Sequence, residues 1–280
     1  MIRRVERIAL ALCFSIFSVG CGAALNETSK TAEDIVRTRN DASKIVDAAT
    51  GEEIELSEFY RRLSTMRVVY VAERHDSAQD HGAQYSIVRA SVDESSSVAI
   101  GLEAFPKSTQ PVLDRWVQGE LDENALRRET DYNARRSESF DMLRPLLEYA
   151  RARHTPLVAL NAPRELTGRI AEVGVAGLSA EEKSQLPQMN YNDAAHRKLL
   201  EGYLGVHVQD DAAKLQRYYE AQLCWDETMA ETVAGFLSAE NPTAQLVVLA
   251  GRAHIEDVAS AFETRRRSWG DTLHHGVSGG

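Results

Sequence analysis

The chain has 280 residues, 43% of them hydrophobic, and a formal net charge of −10. That apolar content supports one sizeable α/β domain or two small ones, and the acidity argues against a nucleic-acid partner, whose phosphates demand a positive surface. Only Cys13, Cys21 and Cys224 are present, so no disulfide framework is built.

The N-terminus reads as a secretory leader. Arg3, Arg4 and Arg7 precede the apolar run Ile8 to Phe17, too short to span a bilayer, and Ser18-Val19-Gly20 lead into Cys21. The layout resembles a bacterial lipobox, with Ser18 where a bulky aliphatic residue is usual. Residues 1–20 are therefore expected to leave as a signal peptide, with lipid on Cys21 anchoring the protein at the bacterial cell envelope, at the outer membrane; ordinary secretion is the alternative. Residues 21–44 are polar and read as a flexible tether.

The domain is expected over 45–264, ahead of a polar tail over 265–280 that carries Arg265-Arg266-Arg267. It opens with Ile45-Val46 and a turn at Thr50-Gly51. Phe59, Leu63 and Met66 then fall at helical spacing, with Ser57 as the candidate N-cap. Four nearly continuous apolar runs predict buried strands of a parallel sheet: 68–72, 98–102, 156–160 and 245–250. Phe140, Leu143, Leu147 and Ala150 predict a helix, and 211–237 predicts a long one. The span between the third and fourth strands is too long for one crossover and predicts a helical subdomain over about 165–240. The fold class is thus α/β: three layers, a mostly parallel central sheet flanked by helices, and an inserted helical subdomain. Cys224 falls in the long helical pattern as a small buried hydrophobe.

Every predicted strand ends in polar chemistry. The first runs into Glu73, Arg74, His75 and Asp76, and the second into Glu103 within GLEAF. The third runs into Asn161 and Arg164, the fourth into Arg252 and His254. Ligands of open parallel sheets bind outside the carboxyl ends of the strands, so these side chains are expected to share a pocket. Asp76 is expected to orient His75, and Arg74 to pair at the surface. His75, Glu103 and His254 suit a divalent metal with an open position, with Glu73 as a base. Without a metal, a Glu/His pair suits proton abstraction from water, which would make the chain a hydrolase acting through Glu73, His75, Glu103 and His254. An ionic network holding the sheet edge, in a non-catalytic envelope scaffold, is the third reading. No GxSxG elbow, Walker loop, GxGxxG or CxxCH is present.

An ordered series of motifs resembles the ChaN-like haem-binding lipoproteins of the wider Tiki superfamily over roughly residues 45–258. It comprises AERHD at 72–76 with His81 and Gln84, GLEAF at 101–105, Gln110 with LDRWVQGEL at 113–121, and LLEYAR at 146–151. ALNAPRE at 159–165, AQLCWDETMA at 221–230 and GRAHI at 251–255 complete it. Ala72 replaces the family's glycine, and ETRRRSW follows GRAHI in place of a glycine-rich continuation. The resemblance implies haem binding and iron uptake, a tyrosine of the helical part on the iron, and basic side chains on the propionates. It also implies a homodimer in which two haems stack. The tyrosine candidates are Tyr191, Tyr203, Tyr218 and Tyr219, with His196, Arg197, Lys198 and His207 for propionates. The same superfamily contains metalloproteases and erythromycin-esterase-like hydrolases that use the strand-end Glu/His set.

Overall fold

The computed structural model describes residues 9–12, 45–48, 50–95, 97–135, 140–208, 211–237 and 243–255. Cys21, the rest of the tether over 21–44 and the tail over 265–280 lie outside these described residues.

The chain order is β1 (Ala9–Leu12), a small hairpin of β2 (Ile45–Val46) and β3 (Glu53–Ile54), α1 (Leu56–Leu63) and β4 (Val68–Glu73). Next come α2 (Ala78–Glu94), β5 (Val98–Pro106), α3 (Gln110–Val117), α4 (Glu123–Glu129), α5 (Tyr132–Arg135) and α6 (Phe140–Ala152). β6 (Leu157–Asn161) leads into α7 (Arg164–Val173), α8 (Ala180–Lys183), α9 (Ala194–Val208) and the long α10 (Ala212–Leu237). β7 (Gln245–Gly251) and α11 (Arg252–Ile255) close the described chain. The Thr50-Gly51 turn forms as expected, with Gly51 at φ 74°, a region glycine enters without steric cost. Ser57 does not cap α1. The helix begins two residues earlier, at Leu56 after extended Glu55, and no side chain caps it.

The main sheet has the order β1-β4-β7-β5-β6, and its pairings are all parallel. The last described strand, β7, is therefore inserted between two early ones. Alternate residues point to opposite faces, and both faces are covered. Val69, Val71, Ile100, Leu102, Val247 and Leu249 pack with Phe59, Ile87, Val88 and Leu147 in one layer. Tyr70, Ala99, Leu160, Leu246 and Val248 pack with Met229, Ala230 and Val233 in the other. The helices after β6 thus supply the second covering layer. α10 lies on the sheet, and Leu166 and Ile170 of α7 bury against Ala221 and Cys224 of α10.

Ala9–Leu12 lies parallel to Val68–Val71 as the edge strand. The apolar run expected to serve as a leader thus has a second way to bury in the full chain, because ALAL suits a strand ladder as well as it suits a leader. The other strand ends also differ from expectation. The ladder runs on through Glu73, which pairs with Gly251, and β5 continues to Pro106 after a register irregularity. A charged side chain does not end a strand when its backbone still has a partner.

The opposite edge of the sheet is closed by a side chain. Leu157 and Ala159 direct their backbone groups away from β5, and the Gln110 carboxamide bonds to both. Its Nε2 donates to Leu157 O at 2.8 Å, and its Oε1 accepts from Ala159 N at 2.7 Å. One side chain thereby imitates one residue of a further strand and blocks edge-to-edge pairing. Replacing Gln110→Ala is expected to destabilise the protein by about 1–3 kcal/mol in urea unfolding. It should also introduce concentration-dependent self-association in light scattering. A variant that stays monomeric with unchanged stability would show that the edge is protected by other means.

Candidate functional site

The insertion of β7 brings the first, second and fourth strand ends together. Glu73, at the end of β4, is buried, and its Oε1 accepts from His75 Nδ1 at 2.8 Å. Its Oε2 lies 3.2 Å from His81 Nδ1, and His81 Nε2 lies 3.1 Å from the carbonyl of His75. Glu73 therefore holds His75, the role expected of Asp76, which is exposed. Arg74 pairs outward with Asp80 at 3.2 Å, as its alternation predicts.

The second half mirrors the first. Glu103, buried in β5, accepts from the backbone N–H of Gly251 at 2.5 Å. His254 Nε2 stands 3.7 Å from Glu103, too far for a hydrogen bond but within ion-pair range. His254 Nδ1 meets Asp226 of α10 at 2.5 Å, and the other oxygen of Asp226 meets His196 Nε2 at 3.0 Å. Burial alone would push the Asp226 carboxyl up, but the His254 and His196 imidazoles hold it below the usual aspartate range. The Gln222 carboxamide lies 3.0 Å from the same His254 nitrogen.

Gly251 sits between the halves. A Cβ there would stand 2.7 Å from His75 Nε2 and 3.4 Å from Glu103 Oε2, so only glycine lets the imidazole approach the sheet edge. Asn161 Nδ2 donates to the Glu103 carbonyl at 3.1 Å and brings in the third strand end. The result is a cavity of about 290 Å³ lined by His75, Glu103, Asn161, Arg164, Trp225 and His254, among others. Of the strand-end residues expected to share a pocket, His75, Glu103, Asn161, Arg164 and His254 line this cavity, whereas Glu73 lies behind His75 and neither it nor Asp76 lines it.

The metal reading gains no support. Among the described residues, no group of three or more His, Cys, Asp or Glu is placed to hold an ion. Glu103 is turned to Gly251 and His254 to Asp226 instead.

The tyrosine candidates separate sharply. Tyr219 is fully buried, against His196 on one side and Arg197 on the other. Tyr191 is 42% exposed, and desolvation pushes its phenol up to about 12, which opposes a phenolate. Tyr203 lies on α9, and its side chain and that of His207 are outside the described residues. Tyr218 lines a second cavity, of about 260 Å³, between α7 and α10 with Thr167, Gly168, Ala171, Ala221 and Trp225. Gly168 faces open space there, with nothing within 4 Å of an added Cβ.

Two expected propionate partners are placed otherwise. His196 is buried on Asp226, and Lys198 is exposed on α9 and lines neither cavity. Arg197 pairs with Glu201 and Gln216. Asp226, Gln222 and Trp225 were not among the residues singled out from the sequence. The signal for Asp226 was present: it stands three residues after Leu223 and three before Met229, on the buried stripe of a helix, where a carboxylate needs partners. Cys224 is buried as expected, and burial pushes its thiol up to about 12.

The family model for haem-binding uptake proteins of the Tiki superfamily, ChaN, matches residues 59–261. RETICULATA-RELATED 5, a chloroplastic protein of Arabidopsis thaliana, is 22% identical over 238 residues, covering 76% of this chain and 31% of that protein. The chain thus spans about a third of the length of the curated relative it matches. Among solved structures, ChaN of Campylobacter jejuni, described as binding heme cofacially, superposes with a TM-score of 0.61 at 18% identity. That match covers 78% of this chain and 87% of the other, a likeness of fold. An erythromycin esterase mutant in its open conformation gives a TM-score of 0.42 at 18% identity, over 71% of this chain and 64% of that one.

Asp226 yields a pH prediction. Its folded pKa is depressed, so its contribution to stability is present above the ordinary aspartate range near ~3.9. That contribution is lost as pH falls through the lower folded value. Asp226→Asn is expected to cost about 3–5 kcal/mol at pH 7, because two buried imidazoles lose their partner. The variant should show less further loss than wild type as pH is lowered below 4. Parallel acid limbs in thermal melts of the two proteins would refute this role.

Proposed function

The chain belongs to the haem-binding uptake family of the Tiki superfamily, ChaN, and from that premise we propose that it binds haem for uptake at the bacterial outer membrane, anchored through lipid on Cys21. The single observation that carries the reading is Tyr218, the candidate tyrosine that lines a cavity between two helices. A phenolate oxygen is a hard anionic ligand suited to ferric haem, and the iron would supply the acid that accepts it. Gly168, Ala171 and Ala221 leave flat space for the ring, and Trp225 offers an aromatic face at one end. We extend the reading to a homodimer, in keeping with the cofacial heme described for the Campylobacter jejuni relative.

Titrating hemin into the purified chain is expected to give a saturable Soret band. Tyr218→Phe should abolish the band or shift it, whereas Tyr191→Phe should leave it unchanged. A wild-type band absent at every concentration, or one indifferent to Tyr218, would sink the assignment.

A second reading has its own observation: two imidazoles, each held by a buried carboxylate, face one cavity. In a hydrolase, His75 would take a proton from water at Nε2 while Glu73 stabilises the imidazolium. The hydroxide would add to an acyl carbon, and the acyl–leaving-group bond would break as the leaving group takes back the proton that His75 had accepted. An ester-hydrolysis screen tests this. Turnover that falls at least about a hundredfold in both His75→Ala and Glu73→Gln supports hydrolysis; no wild-type turnover removes the hydrolase reading.

A further inference from the structure

We propose that a further cavity, at the amino ends of the strands, binds a neutral polyhydroxylated ligand, a sugar. It lies between the ends of α1 and α2 and the starts of β4, β5 and β7, with a volume of about 490 Å³. That falls within the roughly 300–1,000 Å³ usual for a ligand pocket and exceeds both cavities described above. β4 runs 6 residues, about 20 Å at ~3.3 Å each, and Glu73 stands at its far end. Neither functional reading above uses this cavity.

Its walls are rich in hydroxyls. Ser64, Thr65, Ser91, Ser95, Ser97 and Thr243 line it. Ser64 and Thr65 donate their protons to the carbonyls of Arg61 and Arg62, at 3.0 and 2.8 Å, so they offer a ligand lone pairs. Ser95 Oγ accepts from the Ser97 N–H at 3.2 Å and keeps its own proton to donate. A wall with both kinds suits ligand hydroxyls, each of which is donor and acceptor at once. Ser91 is the sharpest sign. Ser86, on the same helix, bonds back to the Gly82 carbonyl at 2.8 Å, a common resort of serines inside helices. Ser91 is 9% exposed, and its hydroxyl has no hydrogen-bond partner among the described residues. Such a group is costly to leave unpaired, and it stands on the cavity wall, where a ligand hydroxyl meets the need.

Charge excludes the other ligand classes. Among the described lining residues, Arg67 and Glu94 are the charged ones. Arg67 Nη2 donates to Leu237 O at 3.1 Å, at the end of α10. Helices α1 and α2 both end here, and their negative C-termini disfavour an anion. A cation fares no better. The Gln245 carboxamide already takes the carbonyls of Leu63 and Met66, both at 2.8 Å, and Glu94 is exposed to water. Tyr60 adds an aromatic wall for the C–H face of a sugar ring. Desolvation pushes its phenol up, so its hydroxyl stays protonated.

Saturation-transfer NMR on the full chain tests this with glucose, N-acetylglucosamine and maltose. Spermidine serves as the cationic probe, and inorganic phosphate, followed by its phosphorus line width, as the anionic one. At least one sugar is expected to show saturable transfer. Ser91→Ala and Thr65→Val should each weaken it about three- to tenfold, one hydrogen bond's worth. Ala90→Phe, which fills the cavity from α2, should abolish it. Thr65 is exposed, so its variant is expected to fold, and circular dichroism checks all three. Binding of phosphate or spermidine with the sugars silent overturns the ligand class. No binding of any probe, or a sugar signal indifferent to the folded variants, overturns the site.

Discussion

A carboxylate buried at the end of a central strand must be satisfied, and the hydrogen bond from Gly251 N–H to Glu103 is how this chain does it. The bond exists only because β7 lies between β4 and β5, so that the end of the last strand falls beside the ends of two early ones. Glycine at the same position leaves room for the His75 ring, into which a Cβ at 251 would run. One contact therefore ties strand order, backbone approach and the charge of the site together. With Glu103 fixed, His254 on one side and His75 on the other take up positions that their own carboxylates, Asp226 and Glu73, complete.

The long helix α10 does two jobs from adjacent stripes. Tyr219, Leu223, Asp226, Met229, Ala230 and Val233 are buried on its inner side, and its lower part covers the sheet. Tyr218, Ala221, Gln222 and Trp225 line the slot beside α7. Asp226 belongs to the inner stripe, and that is why it can hold two imidazoles in a site otherwise made of strand ends. A buried pair of this kind contributes little net stability when intact and costs several kcal/mol when broken, so its main effect is to fix ring orientation.

The same geometry underlies both functional readings. Alternating imidazoles and carboxylates make a polar, rigid floor under the cavity, whether that floor orients a bound ligand or moves a proton. What favours ligand binding is the slot between the helices: it carries Tyr218 and small residues, and it shares Arg164 and Trp225 as lining residues with the strand-end cavity. A hydrolase acting on a small ester would have no use for Tyr218.

The strands, the covering helices and the polar strand ends are all determined by local sequence. Apolar runs of the right length bury on both faces, and helical periodicity reports which residues turn inward. Glu73, His75, Glu103 and His254 were therefore readable as a group from the rule that parallel sheets bind at their carboxyl ends. The sequence also implies that Tyr218 and Tyr219 cannot share an environment, because neighbours on a helix point about 100° apart. Only the tertiary structure decides which of the two is buried, which carboxylate holds His75, and that Asp226 reaches His254 from a helix 28 residues earlier. Those choices follow from strand order and helix rotation on the sheet, set by long-range packing that no local pattern encodes.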